Sequence, residues 1–433
     1  MLSTLLPIVA IGLNAGCGVA TQPAAPETMS FGVLGATCAP ERIEALREAG
    51  VTVVELPLAW DRYEPEVGVV DQRYVAGVRT QLQDCRDAGM VVVLSPGLHY
   101  PPDWVRSLPG GFLKGSAGGV PKDSGAELVF SAKVREAAHE YLARIASDVG
   151  FEGIGAIRVG TDATGELGYP GPEDGGNERE FWSYGDPPQL GKGLADGVAP
   201  SPMPGWVPGS RLWSGKAVSR QQVQAWWDWY AGAVVGAVVW QVDELRNLGY
   251  QGRVHVPVAG KGVLPADKAE ALRGRLDGRA NPDGAQERGL DYLEQFAVLS
   301  TLPGVDVDFT GLDDISAVTA RAVSPLQDRC FPGDEVRVVE EDVTGWSSHR
   351  YTSALARRAG LGVVGENPGA PWKPYTGGTP LSDSLAEQLQ IAPGYAAECG
   401  MSMFLFGFEE DLFDPEGRSG VTLDHYKDVI KSR

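Results

Sequence analysis

The strongest constraint on the fold is the alternation of short β-branched runs with helical segments along most of the chain. This order predicts parallel strands that are joined by crossover helices. Nine segments qualify as strands, whereas eight strands close a barrel of this kind, so we expect 336–340 to be an extra or non-barrel strand. The candidates are 31–34, 51–56, 90–95, 155–160, 253–259, 305–310, 336–340, 362–366 and 401–408.

A doubly wound sheet would also produce alternating strands and helices. No Gly-x-Gly-x-x-Gly turn follows the first strand, however, and the count of eight favours closure. Two long insertions, 97–129 and 166–218, follow the third and fourth strands, at the face where barrel enzymes build their active sites. The sequence therefore predicts one α/β domain over 29–433, a (β/α)8 TIM barrel with long loop insertions at its carboxyl-terminal face.

The N-terminus has the pattern of an export signal. An apolar run, 2–13, is followed by Asn14, Ala15, Gly16 and Cys17, although no Lys or Arg precedes it. Small residues before a cysteine also resemble a bacterial lipoprotein cleavage site, which would make Cys17 a lipid anchor. We interpret 1–28 as an export signal and flexible tether. The expected location is secreted or, with the anchor, the cell surface.

Composition and spacing exclude several kinds of partner and cofactor. A net charge of −20 and a pI near 4.7 repel phosphate backbones, so no nucleic-acid partner is expected. We find no Gly-rich phosphate loop and no cysteine–histidine cluster, so no cofactor and no metal are predicted. The four remaining cysteines allow three pairings. We favour Cys330–Cys399, because each lies shortly before a predicted strand at the same end of the barrel.

The carboxyl ends of the predicted strands carry acids, an imidazole and aromatic rings. Such a set suits a sugar, whose hydroxyl groups need hydrogen-bond partners and whose C–H face packs on rings. Hydrolysis of a glycosidic bond also needs two carboxyl groups. The residues are Glu55 and Trp60 after the second strand, His99 after the third, Asp162, Glu166 and Tyr169 after the fourth, and Glu366 and Asn367 at the end of the seventh.

Glu166 and Glu366 are the predicted catalytic pair, because strands four and seven lie roughly opposite across a barrel mouth. We expect apolar and carboxylate neighbours to raise the pKa of Glu166. Glu340 is a rival for the second carboxyl group, or a substrate ligand, if 336–340 belongs to the barrel.

Two segments resemble those of a known family. The segment 165–170, Gly-Glu-Leu-Gly-Tyr-Pro, resembles the acid-bearing segment of the β-amylase family, and 365–367 resembles its base-bearing segment. The segment 309–312 resembles its inner loop. The resemblance implies that Glu166 is the general acid and Glu366 the general base. It also places Thr310 near the cleavage point and Glu55 and His99 on the sugar.

The chain also departs from this family. The last strand, 404–408, lacks the arginine that the β-amylase resemblance expects. The segments 64–71 and 99–104 look more like barrel β-galactosidases, but Gly165 stands where that clan carries asparagine. The sequence therefore predicts a divergent relative of the β-amylases, an exported glycoside hydrolase that acts on an oligo- or polysaccharide. The alternative is a non-catalytic carbohydrate-binding lipoprotein on a TIM-barrel scaffold.

Overall fold

A computed structural model describes residues 29–121, 125–279, 281, 284–369 and 384–433. Eight parallel strands close into a barrel in the order β1-β8-β7-β6-β5-β4-β3-β2, which confirms the (β/α)8 fold class. The strands are β1 (Ser30–Val33), β2 (Val53–Pro57), β3 (Val91–Ser95), β4 (Ile154–Arg158), β5 (Arg253–Val258), β6 (Val305–Phe309), β7 (Gly362–Glu366) and β8 (Met403–Phe406). The predicted export signal and Cys17 lie outside the described residues.

Helices surround the barrel and are found in its loops. They are α1 (Pro40–Ala49), α2 (Trp60–Tyr63), α3 (Gln72–Asp87), α4 (Asp103–Arg106), α5 (Ala132–Asp148), α6 (Asp186–Leu190), α7 (Arg220–Asn247), α8 (Pro265–Arg273), α9 (Tyr292–Leu299), α10 (Ile315–Val323), α11 (Asp334–Glu340), α12 (Ser348–Ala359), α13 (Leu385–Glu398), α14 (Glu409–Leu412) and α15 (Leu423–Lys431). The insertion after β4 also contains a small antiparallel hairpin, Leu212–Trp213 with Lys216–Ala217. Within the described ranges, no helix combines the length and the apolar character that a membrane crossing needs.

The predicted strand at 336–340 is wrong, because this segment belongs to α11. Gly333 precedes the helix with φ 87°, and the acidic Asp334 and Glu335 occupy its first turn, where they favour a helix N-terminus. Val338 is buried whereas Val336 and Val339 are exposed, which is helical rather than alternating burial. The segment is therefore not a barrel strand, as its position as a ninth candidate had suggested.

The inside of the barrel changes from apolar to charged along the strand direction. Val53 and Ala156 belong to a small aliphatic cluster inside the barrel. Side chains that are two residues apart on a strand share a face, so Glu55 on β2 and Arg158 on β4 also point inward, closer to the carboxyl ends. The sequence period therefore places charges at the barrel mouth, above an aliphatic layer.

Two disulfides join segments outside the barrel. Cys330–Cys399 is the pairing that we favoured, and Cys38–Cys85 is the second, with Cα–Cα distances of 5.1 and 5.4 Å. Cys399 lies shortly before the strand β8, as expected, whereas Cys330 precedes the helix α11 and not a strand. The two bridges span 69 and 47 residues of sequence, so each restrains a long loop of the unfolded chain.

We predict that the double substitution C330A/C399A lowers the free energy of unfolding by about 2–4 kcal/mol, because the unfolded chain gains the entropy of the opened loop. Urea unfolding of the oxidised variant against oxidised wild type measures this loss. In reductant, which also opens Cys38–Cys85, the two proteins should unfold alike, and this comparison is the control. An unchanged unfolding midpoint in the double variant would contradict the prediction.

Candidate active site

The two predicted catalytic carboxyl groups both lie at the carboxyl-terminal mouth of the barrel. Glu166 belongs to the loop after β4, and Glu366 is the last residue of β7. Strands β5 and β6 lie between their strands, so the two groups approach the mouth from different sides. Their side chains are 13% and 9% exposed. Each carboxyl group is therefore largely removed from water and depends on neighbouring groups for its charge state.

Glu166 has a hydrogen-bond donor at each oxygen. The hydroxyl of Thr310 donates to its Oε1 at 2.6 Å, and Nη2 of Arg288 donates to its Oε2 at 2.8 Å. The same Nη2 also donates to Oδ2 of Asp162 at 2.8 Å. Oδ1 of Asp162 accepts the backbone N–H of Glu166 at 2.8 Å, which fixes the loop that carries the glutamate.

The expected rise in the pKa of Glu166 is wrong. Burial raises its pKa, but the charge of Arg288 and the hydrogen bonds from Thr310 and Arg288 outweigh burial and hold the pKa below its usual range. The neighbouring acid has the opposite shift, because burial and the charge of Glu166 raise the pKa of Asp162 to about 6. Asp162 is the carboxylate neighbour that we expected, but the charge of Arg288 decides that the pKa of Glu166 is lowered and not raised.

Glycines explain the shape of the Glu166 loop. Gly165 has φ +79°, and a Cβ there would come within 3.0 Å of the His99 ring. The left-handed backbone and the close His99 ring both favour glycine at this position. Burial and the charge of Arg158 lower the pKa of His99 to about 4, so its ring is neutral at neutral pH.

Glu366 is bound to an arginine that comes from the opposite side of the mouth. Arg158 donates from Nη1 and Nη2 to the two oxygens of Glu366 at 3.1 and 3.4 Å. Its Nε lies 3.5 Å from Oδ2 of Asp308 on β6. Arg158 therefore supplies a cation beside Glu366, in a chain whose last strand lacks the arginine that the resemblance expects.

The acids around Arg158 outnumber it. Burial raises the pKa of Glu366 to about 8, and the charges of Asp308 and Glu55 add to this against the attraction of Arg158. Burial and the charges of neighbouring acids also raise the pKa of Asp308. Neither oxygen of Asp308 accepts a hydrogen bond within the described residues. This side of the mouth therefore favours an extra proton.

Other predicted ligands lie beside this network. Glu55 is buried and its Oε2 accepts the backbone N–H of Gly35 at 2.8 Å. Thr310 begins the segment after β6, and the N–H of Leu312 in that segment donates to the backbone oxygen of Glu366 at 2.9 Å. The structure thus brings Glu55, His99, Asp162 and Thr310 together with the two glutamates.

Four predicted site residues lie elsewhere or are already bound. Trp60 is fully buried and stacks on Tyr141, and Tyr169 is buried against Tyr230, to whose backbone oxygen its hydroxyl donates. The Asn367 amide is bonded to both the N–H and the carbonyl of Gly407 and to Gln388.

Glu340 is the fourth of these residues. It is exposed at the end of α11 instead of at the end of a strand, so it forms no part of the network. None of the four is retained as a candidate substrate ligand.

Several residues at the mouth were not predicted from the sequence. The alternation of side chains along β4 would have indicated that Arg158 points into the barrel. No local pattern indicates the contact of Arg288 with Glu166, because the two residues are 122 positions apart in the sequence. Two exposed rings, Tyr100 and Phe408, were also missed. Tyr100 lies 4.1 Å from the His99 ring, and Phe408 lies against Gly35 and Gly369, which follow β1 and β7. Within the described residues, no group of three or more His, Cys, Asp or Glu side chains has an arrangement that could hold a metal ion.

No protein-family model and no curated protein matches the sequence. Among solved structures, the catalytic domain of a β-amylase from Paenibacillus polymyxa is similar at 16% identity with a TM-score of 0.59, over 93% of this chain and 98% of that chain. A β-galactosidase from Marinomonas ef1 is similar at 15% identity, TM-score 0.55, over 87% of this chain. One from Bacillus circulans sp. alkalophilus is similar at 12% identity, TM-score 0.56, over 93% of this chain.

The chain spans about half the length of the two β-galactosidase chains, 54% and 55%, and nearly all of the β-amylase domain. At these identities the comparisons show a shared fold. Together with the closed parallel barrel, they show that this chain shares the (β/α)8 fold of the β-amylase and β-galactosidase barrels.

Proposed function

We propose that this chain is a glycoside hydrolase that cleaves an oligo- or polysaccharide with Glu166 and Glu366 as its two catalytic carboxyl groups. The observation that carries the proposal is that two largely buried carboxyl groups, one on the loop after β4 and one at the end of β7, lie at the same barrel mouth with different partners. Arg288 and Thr310 favour the charged form of Glu166, whereas burial favours the protonated form of Glu366. Carboxyl pairs of this kind divide the acid and base roles in glycosidases. The barrels of similar structure, a β-amylase and two β-galactosidases, support the same reaction class.

Among the described residues, the mouth holds more carboxyl groups than arginines. Glu55, Asp162, Glu166, Asp308 and Glu366 face two arginines, Arg158 and Arg288, so full ionisation would leave about three uncompensated negative charges with little solvent. Buried like charges take up protons instead. The excess of acids therefore favours a proton on the pair near neutral pH, as an acid–base mechanism requires.

We assign the roles as the resemblance implies, with Glu166 as general acid and Glu366 as general base. In the free protein the proton favours the other member, because Arg288 favours the ionised form of Glu166 and burial favours the protonated form of Glu366. The active form is then the one in which the proton has moved to Glu166. Glu166 protonates the departing oxygen, and Glu366 activates water or attacks the sugar carbon, depending on the spacing.

The substrate contacts that we propose are two partly buried polar groups and two exposed rings at the mouth. The neutral His99 ring and the Thr310 hydroxyl suit sugar hydroxyl groups, and Tyr100 and Phe408 offer rings to the C–H face of a sugar. The proposed address is secreted or cell-surface, with Cys17 as the lipid anchor in the second case. Two disulfides are consistent with an oxidising compartment.

A second candidate is a non-catalytic carbohydrate-binding protein. One observation favours it. Both glutamates are bound to arginines, and each of their carboxyl oxygens already accepts a hydrogen bond from the protein. A barrel that only binds sugar tolerates such pairing, whereas a hydrolase must break part of it in each cycle. Activity decides between the two.

We predict that E166Q and E366Q each lower kcat/KM by roughly 10²–10⁴-fold, because each removes one half of the acid–base pair. A screen of α-glucans, β-galactosides and other oligosaccharides identifies the substrate, and NMR of the first product reports inversion or retention. E340Q is the matched control and is expected to keep wild-type activity, because Glu340 is exposed on α11.

The same variants separate the roles. A general-acid variant keeps activity on aryl glycosides whose leaving group needs no proton, so E166Q is expected to cleave these far better than it cleaves natural linkages. E366Q is expected to lose both. The reverse pattern would exchange the roles, and binding of oligosaccharide without release of sugar by wild type would support the carbohydrate-binding function.

The charge state of Glu366 also predicts how stability depends on pH. Its folded-state pKa of about 8 exceeds the value of about 4.3 in an unfolded chain. Between these values the folded protein holds a proton that the unfolded chain has lost, so the free energy of unfolding falls as pH rises. E366Q should flatten this fall between roughly pH 5 and 8 in urea unfolding. E340Q serves again as the control, and an E366Q curve parallel to wild type would refute the raised pKa.

A further inference from the structure

Arg288 joins two carboxylates of a single loop. Its Nη2 is 2.8 Å from both Oδ2 of Asp162 and Oε2 of Glu166, and its side chain is mostly buried. The arginine comes from the connection between α8 and α9, and its backbone oxygen accepts the N–H of Tyr169 at 3.0 Å. The backbone of Arg288 is thus fixed to the same loop that carries Glu166, which leaves the guanidinium as the part that can change partners.

The two donors at Glu166 differ in what they can do when the carboxyl group is protonated. The Thr310 hydroxyl can turn, because it already has a second acceptor in the backbone oxygen of Val258 at 3.2 Å, and it can also accept a hydrogen bond. A guanidinium only donates and keeps its charge. Arg288 therefore opposes a proton on Glu166 in a way that Thr310 does not.

Asp162 can hold the Arg288 guanidinium without help from Glu166. Its Oδ2 already binds the same Nη2, and its Oδ1 is held by the backbone N–H of Glu166 at 2.8 Å and by the Thr164 hydroxyl at 2.9 Å. Release of Glu166 would cost Arg288 one of its two acceptors at that nitrogen and leave the other in place. A small rotation of the guanidinium is enough for this change.

We infer that Arg288 is a positioning residue that controls the proton on Glu166: it holds Glu166 ionised in the free protein and passes to Asp162 alone when a glycosidic oxygen approaches. The inference rests on the proposed function. Glu366 then releases one proton and Glu166 takes one up, both by exchange with solvent. Glu166 gives its proton to the departing oxygen as the glycosidic C–O bond breaks, and when water is the nucleophile Glu366 takes a proton from it, which restores the resting charges. Glu166 returns to Arg288 when product leaves.

Several charged or titratable groups face Glu166 from the elements around it. Asp162 lies on its own loop, Arg288 on the α8–α9 connection, Asp308 on β6 and Tyr292 at the start of α9. The neutral His99 ring packs against the preceding Gly165. The acids among them favour a proton on Glu166, and Arg288 is the cation that contacts it and opposes one.

The test is the titration of Glu166 in R288Q, followed by ¹³C NMR of the glutamate carboxyl groups, with E166Q to assign the signal. We expect the midpoint of Glu166 to rise by about 1–3 pH units in R288Q, and to stay near the wild-type value in R288K. D162N should shift it in the opposite direction, which keeps the test decisive if R288Q does not fold. R329Q, which breaks the exposed Arg329–Glu398 pair, is the control and should change nothing.

Activity supplies the second arm. In wild type, the acid limb of kcat/KM should report Glu166 in the free protein, because Glu366 holds its proton to higher pH. In R288Q this limb should move to higher pH, together with the midpoint of Glu166. Cleavage by wild type with no movement of midpoint or limb in R288Q would overturn the inference and leave the proposed function intact. A shifted midpoint without cleavage of any glycan would instead remove the proposed function, and with it the substrate step of the inference.

Discussion

The contact between Arg158 and the acids of three other strands determines the form of the barrel mouth. Arg158 ends β4, binds Glu366 on β7, lies beside Asp308 on β6 and is attracted by Glu55 on β2. A buried guanidinium is costly unless acids surround it, and buried acids are costly without a cation. These charged side chains can point into the barrel only because the arginine and the acids lie close together there. The closed barrel brings them together, and their attraction in turn offsets the cost of burying them.

The two arginines act differently because of where they are attached. Arg158 is part of a strand and faces several acids, so it orients Glu366 while burial and the acids Asp308 and Glu55 still raise the pKa of that group. Arg288 is part of a connection and faces the two acids of one loop, and its charge prevails at Glu166. The two pairs therefore differ in outcome. Arg158 donates from two nitrogens to Glu366, yet burial and the nearby acids prevail there, whereas one nitrogen of Arg288, with the Thr310 hydroxyl, prevails over burial at Glu166.

The sequence predicted what depends on local pattern. The β-branched runs between helical segments located the eight strands to within about two residues, and the position of Glu166 and Glu366 at strand ends predicted their place at the mouth. The strand predicted at 336–340 is wrong, because the run Val-Arg-Val-Val alone does not indicate that a helix starts at Gly333 and Asp334. Trp60 and Tyr169 are not substrate contacts at the mouth as predicted, because a residue after a strand can turn toward the mouth or back toward the helices. The pKa of Glu166 could not be predicted, since its sign depends on a residue 122 positions away.

The distribution of protons links these features to the proposed chemistry. Glu166 and Glu366 lie in surroundings that favour one proton between them near neutral pH, on Glu366 while no sugar is bound. A substrate that brings its glycosidic oxygen to Glu166 supplies a hydrogen-bond acceptor where Arg288 supplies a donor. It therefore favours the state in which Glu166 is protonated and Glu366 is ionised. The energy for that change comes from sugar contacts elsewhere in the mouth, which is the way in which enzymes use remote binding interactions. A ligand too small to reach those contacts would leave Arg288 on Glu166, and the pair would stay in its resting charge state.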